Sequence, residues 1–348
     1  MLILKVLSGF FILATFFPLI KWDHWWVRVF DYPRFQKLIM LLLLLLFWAI
    51  FADFSSQENR GWMLSLVLSS AFLFKKVFPF TPFGKKMIKK VDFDPEKGIH
   101  LLVANIYQYN RKYKKLLDLV SKEKPDLVFL VETDSKWEKA MLPLEKSFNY
   151  HIKIPQENTY GLLFYTNLEI VRQEIHHLID PEIPSLELDL LLRNGEKITI
   201  YAIHPTPPVP GENDQSTERD AEILLVGKKS KNNPLPSLVI GDLNDVAWSY
   251  TTELFLKISR MADPRRGRGM YNTFHAKIPI FRWPLDHLFL SRHFALSGLE
   301  VHRAIGSDHF PISLKAVLTE TNHTDTLKAD GDEKEEARQK IANGLTLN

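Results

Sequence analysis

The first 80 residues constrain this chain more than anything after them, because they hold three apolar segments in close succession. Leu2 to Ile20 contains only Lys5 as a charge, while Leu38 to Ala52 and Gly61 to Phe74 contain none. A membrane-crossing helix needs about 20 apolar residues, so the second and third segments are short by themselves. Their flanks extend them. Lys37 is placed to snorkel at one end and Lys75 and Lys76 at another, while Trp22, Trp25, Trp26, Trp48 and Trp62 stand where interfacial aromatics belong. Buried core helices would give a similar pattern. A cleaved signal peptide would explain only the first segment, and no small-x-small pattern follows Ile20. The expectation is three membrane helices within residues 1–80, an integral membrane protein with the lipid bilayer as a partner.

Lys and Arg in the short connections set the expected orientation. Lys21, Arg28, Arg34 and Lys37 lie between the first two segments, and Lys75, Lys76, Lys85, Lys86, Lys89 and Lys90 follow the third; Asp53 to Gly61 carries only Arg60. With three spans both basic stretches fall on one side. The positive-inside rule then places the rest of the chain in the cytoplasm, at a bacterial inner membrane.

After a basic linker, residues 81–97, the pattern becomes that of a folded domain over residues 98–318. "GIHLLVAN" reads as a strand, Arg111 to Lys122 as a helix with one apolar face, and "DLVFLVE" as a buried strand. Further strands are expected at Gly161 to Tyr165, Ser185 to Leu192, Lys197 to His204, Ser237 to Asp242, Leu285 to Leu290 and Ile312 to Leu318. Helices are expected at Gln215 to Lys229 and Ser249 to Ser259. Asn194-Gly195 is a strong hairpin signal. Hairpins mixed with strand-helix units imply a sheet-on-sheet core flanked by helices. Residues 319–348 are polar and poor in large apolar groups, which implies a disordered or loosely helical tail.

Acidic, amide and imidazole groups recur at strand ends: Asn105, Glu132, His204, Asp242, Asn244, Asp286, Asp308 and His309. Any one of them is ordinarily a turn former or a cap. Together they supply a chemistry. A hard divalent cation such as Mg2+ or Mn2+ takes oxygen ligands, with Glu132 as the carboxylate and Asn105 and Asp308 close by. Asp242, steered by Asn244, suits the handling of a water, and His204 and His309 suit donation to phosphate or to a leaving oxygen. The absence of cysteine removes thiolate metal sites and a cysteine nucleophile from consideration.

The ordered set Asn105, Glu132, His204, "GDLND" at 241–245, "PLDHLFLS" at 284–291 and "GSDHFP" at 306–311 resembles the endonuclease/exonuclease/phosphatase superfamily. The resemblance implies a four-layered α/β sandwich and a Mg2+-dependent site at one edge, with the membrane helices ahead of it. By matched position, Glu132 looks like the metal carboxylate with Asn105 the amide beside it. Asp242 and Asn244 look like the pair that positions the nucleophilic water, and Asp308-His309 like the terminal Asp-His. Asp286 looks like the carboxylate that orients that histidine, and His204 like a contact to the scissile phosphate. Val131 stands where many relatives have Gln. "PTPPVPG" after His204 and "WWVRVFDYPRFQ" resemble bacterial membrane-attached members.

The implied activity is a metal-dependent phosphoesterase acting on a lipid headgroup or nucleotide-like ester. A membrane-attached nuclease is the alternative, less favoured because the net charge is only +3. A catalytically inactive scaffold is the third reading. "DPRRGRGMYNTF", 263–274, reads equally as a phosphate-gripping loop or a solvated basic loop. Tyr160 and Trp248 read as packing residues.

Overall fold

A computed structural model describes residues 1–320 and 325–347. Its N-terminal helices are α1 (Leu2–Phe16), α2 (Trp25–Arg28), α3 (Arg34–Phe51) and α4 (Gln57–Val77). The stretches Leu2–Leu19, Arg34–Phe51 and Gln57–Phe80 are each long and apolar enough to cross a membrane. A narrow seam of Leu38, Leu41, Leu44 and Trp48 of α3 with Leu66 and Leu73 of α4, against which Leu4, Phe11 and Ile12 of α1 pack, joins the three long helices. Most of their other large apolar side chains are exposed. Two expectations change here. Lys37 does not snorkel: it is buried, and its Nζ donates to the Ala14 and Phe30 carbonyls at 2.7 Å each, satisfying α1's C-terminal backbone. Trp48 is no interfacial residue either. It lies inside the bundle, stacked on Trp62, with Nε1 donating to Ser8 Oγ.

The rest of the chain runs β1 (Gly98–Asn105), α5 (Tyr113–Glu123), β2 (Leu127–Val131), α6 (Ser135–Ala140), β3 (Tyr150–Ile154), β4 (Leu162–Thr166), β5 (Glu169–His176), β6 (Ser185–Leu191), β7 (Lys197–Ala202), α7 (Thr217–Asn232), β8 (Ser237–Asp242), α8 (Tyr250–Ser259), β9 (Asp286–Leu290), β10 (Phe294–Val301), β11 (Ile312–Leu318) and α9 (Gly331–Leu345). Two mixed sheets form, one in the order β10-β11-β1-β2-β4-β3 and the other β5-β6-β7-β8-β9. Strand alternation sorts the side chains into layers. Leu101, Val103, Leu238 and Ile240 enter the core between the sheets. Leu102 and Ala104 pack outward with Leu116 and Trp137 of α5 and α6. Val239 packs outward with Leu224 and Phe255 of α7 and α8. The result is a four-layered α/β sandwich, and burial on both faces explains the unbroken apolar runs of β1, β2 and β8.

The presumed linker and tail are both built into the fold. Met87 and Ile88 enter the inter-sheet core, and the backbone of Lys89 to Val91 bonds to Leu296, covering the β10 edge. In the tail, α9 is a docked 15-residue helix with an Asp330–Glu333 capping box. Its contact is made by small residues and ions: a Cβ on Gly344 would stand 2.3 Å from Ala221 Cβ, and Lys340 Nζ lies 3.0 Å from both Asp23 and Asp220. Composition, which looks for large apolar groups, does not register such a face. The remaining tail positions 321–324 and 348 lie outside the described residues.

The connection between α1 and α3 lies on the sandwich. Asp23 O accepts from Ser216 N at 2.7 Å, Asp214 O from Trp25 N at 2.9 Å, and Asp31 O from Trp248 Nε1 at 2.9 Å. Phe80, just beyond α4, packs with Val246, Trp248 and Leu285. The membrane-type helices therefore meet the sandwich at the end that carries Asn244 and Asp286.

Candidate active site

Topology gathers the polar residues. β1 pairs parallel with β2, and β7 with β8, so Asn105, Glu132, His204 and Asp242 all emerge at one edge. β9 and β11 are antiparallel to β8 and β1 and begin at that edge, which brings Asp286 opposite Asp242 and puts Asp308-His309 just ahead of Ile312. The backbone is shaped to present them: Glu132 has φ 60° and Asn244 φ 51°, conformations that non-glycine residues adopt sparingly and that cluster at functional sites. Gly241 has φ 140°, and a Cβ there would fall 1.9 Å from the Ile203 carbonyl oxygen.

His309 is the centre of the cluster. Its Nδ1 lies 2.8 Å from Asp286 Oδ2 and its Nε2 3.5 Å from Asp242 Oδ2. Burial alone would push the imidazole down, but Asp286 and Asp242 outweigh it and hold it up at about 10. Asp286 is itself pushed up by burial, so the pair keeps a proton through neutral pH. Burial also opposes the charge on Asp242, yet His309, the Asn105 amide and the Asn244 N–H hold it below the usual range. An ionised Asp242 can accept a proton from water, and a cationic His309 can stabilise charge on a phosphoryl or leaving oxygen.

Asn105 links this cluster to Glu132: its Nδ2 donates to Glu132 Oε1 at 2.7 Å and to Asp242 Oδ2 at 3.0 Å. Its Oδ1 accepts from Tyr107 N. The amide oxygen is thus turned to the chain, and through its nitrogen Asn105 holds Glu132 in place. Glu132 Oε2 also accepts from Gln108 N at 3.2 Å. Burial, with Asp308 and Asp242 nearby, pushes the Glu132 carboxyl up to about 7. A divalent cation fits here: the donors are oxygens, and their mutual repulsion is what a cation would relieve. Asp308 is half-buried beside its Ser307 neighbour and makes no hydrogen bond to Glu132. Among the described residues, the potential ligands that converge within 4.8 Å at this edge are Asp242, Asp286 and His309. Both His309 nitrogens are engaged there with carboxylates, which makes that trio an ionic relay.

His204 is buried beside Tyr160, with ring centroids 5.6 Å apart. Burial pushes it down to about 4, so it is a neutral imidazole whose Nδ1 has no hydrogen-bond partner among the described residues. Asn244 Nδ2 donates to Pro205 O at 2.9 Å, and Asn244 N to Asp242 Oδ1 at 2.9 Å.

Several supporting residues were not legible in the sequence. Tyr32 Oη and Arg219 Nη1 both donate to the Asn244 carbonyl, at 2.9 and 2.8 Å. Arg265 neither grips phosphate nor faces solvent. It is buried, paired with Asp263 at 2.9 Å, and bonded to His287 Nδ1 at 2.6 Å and to the Asp286 carbonyl at 3.3 Å. Burial and Arg265 push His287 down to about 3, which fixes it as a neutral acceptor whose Nε2–H donates to Asp245 O. Arg268 bonds to the Ile88 carbonyl. The arginines of this loop hold the fold together. Trp248 packs as expected, while Tyr160 has a polar partner in Glu212.

A family model described as Endonuclease/Exonuclease/phosphatase family matches residues 102–309. Three solved structures share the fold. An endonuclease/exonuclease/phosphatase family protein from Bacteroides thetaiotaomicron is 16% identical over 64% of this chain and 99% of its own, with TM-score 0.52. TDP2 from D. rerio, complexed with single strand DNA product, is 15% identical over 63% and 98%, TM-score 0.51. The human Nocturnin catalytic domain with bound sulfate anion is 16% identical over 66% and 97%, TM-score 0.51. No curated protein matches the chain in sequence.

Proposed function

Because the chain belongs to the endonuclease/exonuclease/phosphatase family, we propose that it is a membrane-anchored, divalent-metal-dependent phosphoesterase that hydrolyses its substrate by in-line attack of water. The observation that carries this reading is the line of contacts that runs by hydrogen bonds from Glu132 through Asn105 to Asp242, by an ion pair at 3.5 Å to His309, and by a further close pair to Asp286. It joins a cation-seeking carboxylate, an ionised base and a protonated imidazole at one sheet edge.

Glu132 would hold Mg2+ or Mn2+, with Asp308 close by. When bound, the cation supplies charge for the phosphoryl oxygens. Asp242, oriented by the Asn244 amide, takes a proton as the water oxygen bonds to phosphorus. The ester P–O bond breaks on the opposite side, the leaving oxygen takes up a proton from solvent, and Asp242 returns its own proton to solvent. His309, steadied by Asp286, stabilises the equatorial oxygens, and His204 lines the same pocket as a neutral donor.

Anchoring is supported by the three apolar helices and by a parity argument. Three spans place the α1–α3 connection and the sandwich on one side, as their contacts require. The Lys and Arg count favours the cytoplasmic side.

The test uses the full chain, since Phe80, Met87 and Ile88 complete the sandwich's own cores. In detergent it should hydrolyse a bis-aryl phosphodiester or an aryl monoester when Mg2+ is added. Turnover confined to plasmid DNA would transfer the assignment to a nuclease. Failure on every ester by a folded chain that also binds no metal would favour the scaffold.

A further inference from the structure

Between Phe274 and Trp283 the chain makes a closed excursion, pinned at its base by reciprocal backbone bonds between those two residues. Its tip is apolar and uncovered: Ile278, Ile280 and Phe281 are 41%, 67% and 49% exposed. Exposed neighbouring apolar side chains on a water-facing loop are unfavourable unless something covers them. The position of the tip identifies the cover. Gln36, in the first turn of α3, donates its Nε2 to the Ile280 carbonyl at 2.9 Å, and Tyr32, just before α3, packs edge-on to Trp283 at 5.6 Å. The tip therefore lies at the level where α3, a stretch apolar enough to span a membrane, begins. Two cations flank it, Lys277 over the Tyr107 ring and Arg282 over Phe310, each 5.0 Å from the ring centroid. Apolar residues between aromatics and Lys or Arg are the composition of a surface that enters a headgroup layer.

The same loop is laced into the site. Ala276 N donates to the Asp308 carbonyl at 2.6 Å, Phe310 N to Thr273 O at 2.7 Å, and the Phe274 ring lies 5.0 Å from His309. We propose, resting on the hydrolase reading above, that the 275–282 loop dips into the bilayer interface beside α3 and opens the site onto it, so that the substrate is an amphiphile carrying a phosphoester in its headgroup.

The lack of cysteine gives a direct test. The full chain with Ile280→Cys, labelled with a solvent-sensitive fluorophore, is placed in vesicles of phosphatidylcholine and phosphatidylglycerol; Asn194→Cys, in the hairpin at the opposite strand ends, is the reference. At 280 the emission should be blue-shifted and quenched by brominated acyl chains, and at 194 it should be water-like. Quenching at 280 by aqueous iodide but not by bromolipid, or shielding from both as under a protein partner, overturns the proposal. The pair Ile280→Asp and Phe281→Asp should then lower turnover of a long-chain alkyl aryl phosphodiester held in the vesicle by about tenfold or more, with a water-soluble bis-aryl ester unaffected. Equal effects on both esters would also overturn it. Loss of all turnover in the wild-type chain would break the hydrolase reading instead, and leaves the fluorescence result to decide the membrane surface.

Discussion

Two buried ionic networks lie side by side beneath the same sheet edge, and they are built differently. The one around Arg219, Asp220 and Asp245 and its continuation through Asp263, Arg265 and His287 is closed. Asp220 takes Arg219, Lys340 and Thr251, Asp245 takes Ser249 and Thr252, and none of these side chains leaves a buried polar atom unpartnered. The network of Glu132, Asn105, Asp242, His309, Asp286 and His204 is open. Among the described residues Asp286 Oδ1 and His204 Nδ1 find no hydrogen-bond partner, Glu132 and Asn244 have left-handed backbones, and the carboxylates outnumber the one imidazolium. Burial and charge are common to both. Unmet hydrogen-bonding capacity and surplus negative charge distinguish a site from a scaffold.

That contrast can be broken by mutation. His309→Ala should lower turnover roughly 10²- to 10⁴-fold, as loss of an acid–base group does, in a chain that still folds though less stably, since Asp286 and Asp242 lose their cation; activity retained in the folded variant would take the imidazole out of the chemistry. Arg265→Met should act on stability first, costing about 3–5 kcal/mol because it strands Asp263 in the interior, as read by thermal or denaturant unfolding. Comparable stability to wild type would show that the second network is not structural.

Glu222 sharpens the comparison, because it is buried without belonging to either network. Burial, reinforced by Asp180 and Glu218, pushes its carboxyl up to about 8 from 4.5. Between those values the folded chain holds a proton that the unfolded chain has released. Stability should therefore fall as pH rises through this window. Glu222→Gln should flatten that slope and raise stability near pH 7 by roughly 1–3 kcal/mol. An unchanged pH profile would mean the carboxyl is ionised in the fold. The smallest effect is expected at the junction of the networks: Tyr32→Phe removes one of two donors to the Asn244 carbonyl, at about 1 kcal/mol. It should reduce kcat several-fold with little change in KM for a soluble ester, whereas an effect on KM alone would place Tyr32 at substrate binding.

The sequence made the buried strands plain and the exposed edges obscure, for one reason. β1, β2, β4, β6, β7, β8 and β11 are buried on both faces or have a covered side, so they read as apolar runs. The strands it did not reveal, β3, β5 and β10, are sheet edges, while the fourth edge, β9, was legible because it is buried along its whole length. β5 shows why. Its residues are mostly exposed, and Arg172 pairs with Asp189 and Glu187 across the strands, a charged rim that blocks further pairing and hides the period of two. The site residues were legible because each ends an apolar strand, and topology then explains their meeting. Their supports were not legible, since Tyr32, Gln108, Arg219 and Arg265 come from a helix connection, a turn, a helix and a loop that nothing in the local pattern ties to the sheet edge. The docking of α9 escaped notice because glycine, alanine and an ionic contact hold it.

The most direct test of the open network is the turnover of a bis-aryl phosphodiester by the full chain as Mg2+ is titrated, compared with Glu132→Gln. Saturable dependence on the metal, reversed by a chelator and lost in the variant, is the predicted result. Turnover that is indifferent to the metal, or equal in both proteins, would contradict the assignment of Glu132 and with it the chemistry proposed for this edge.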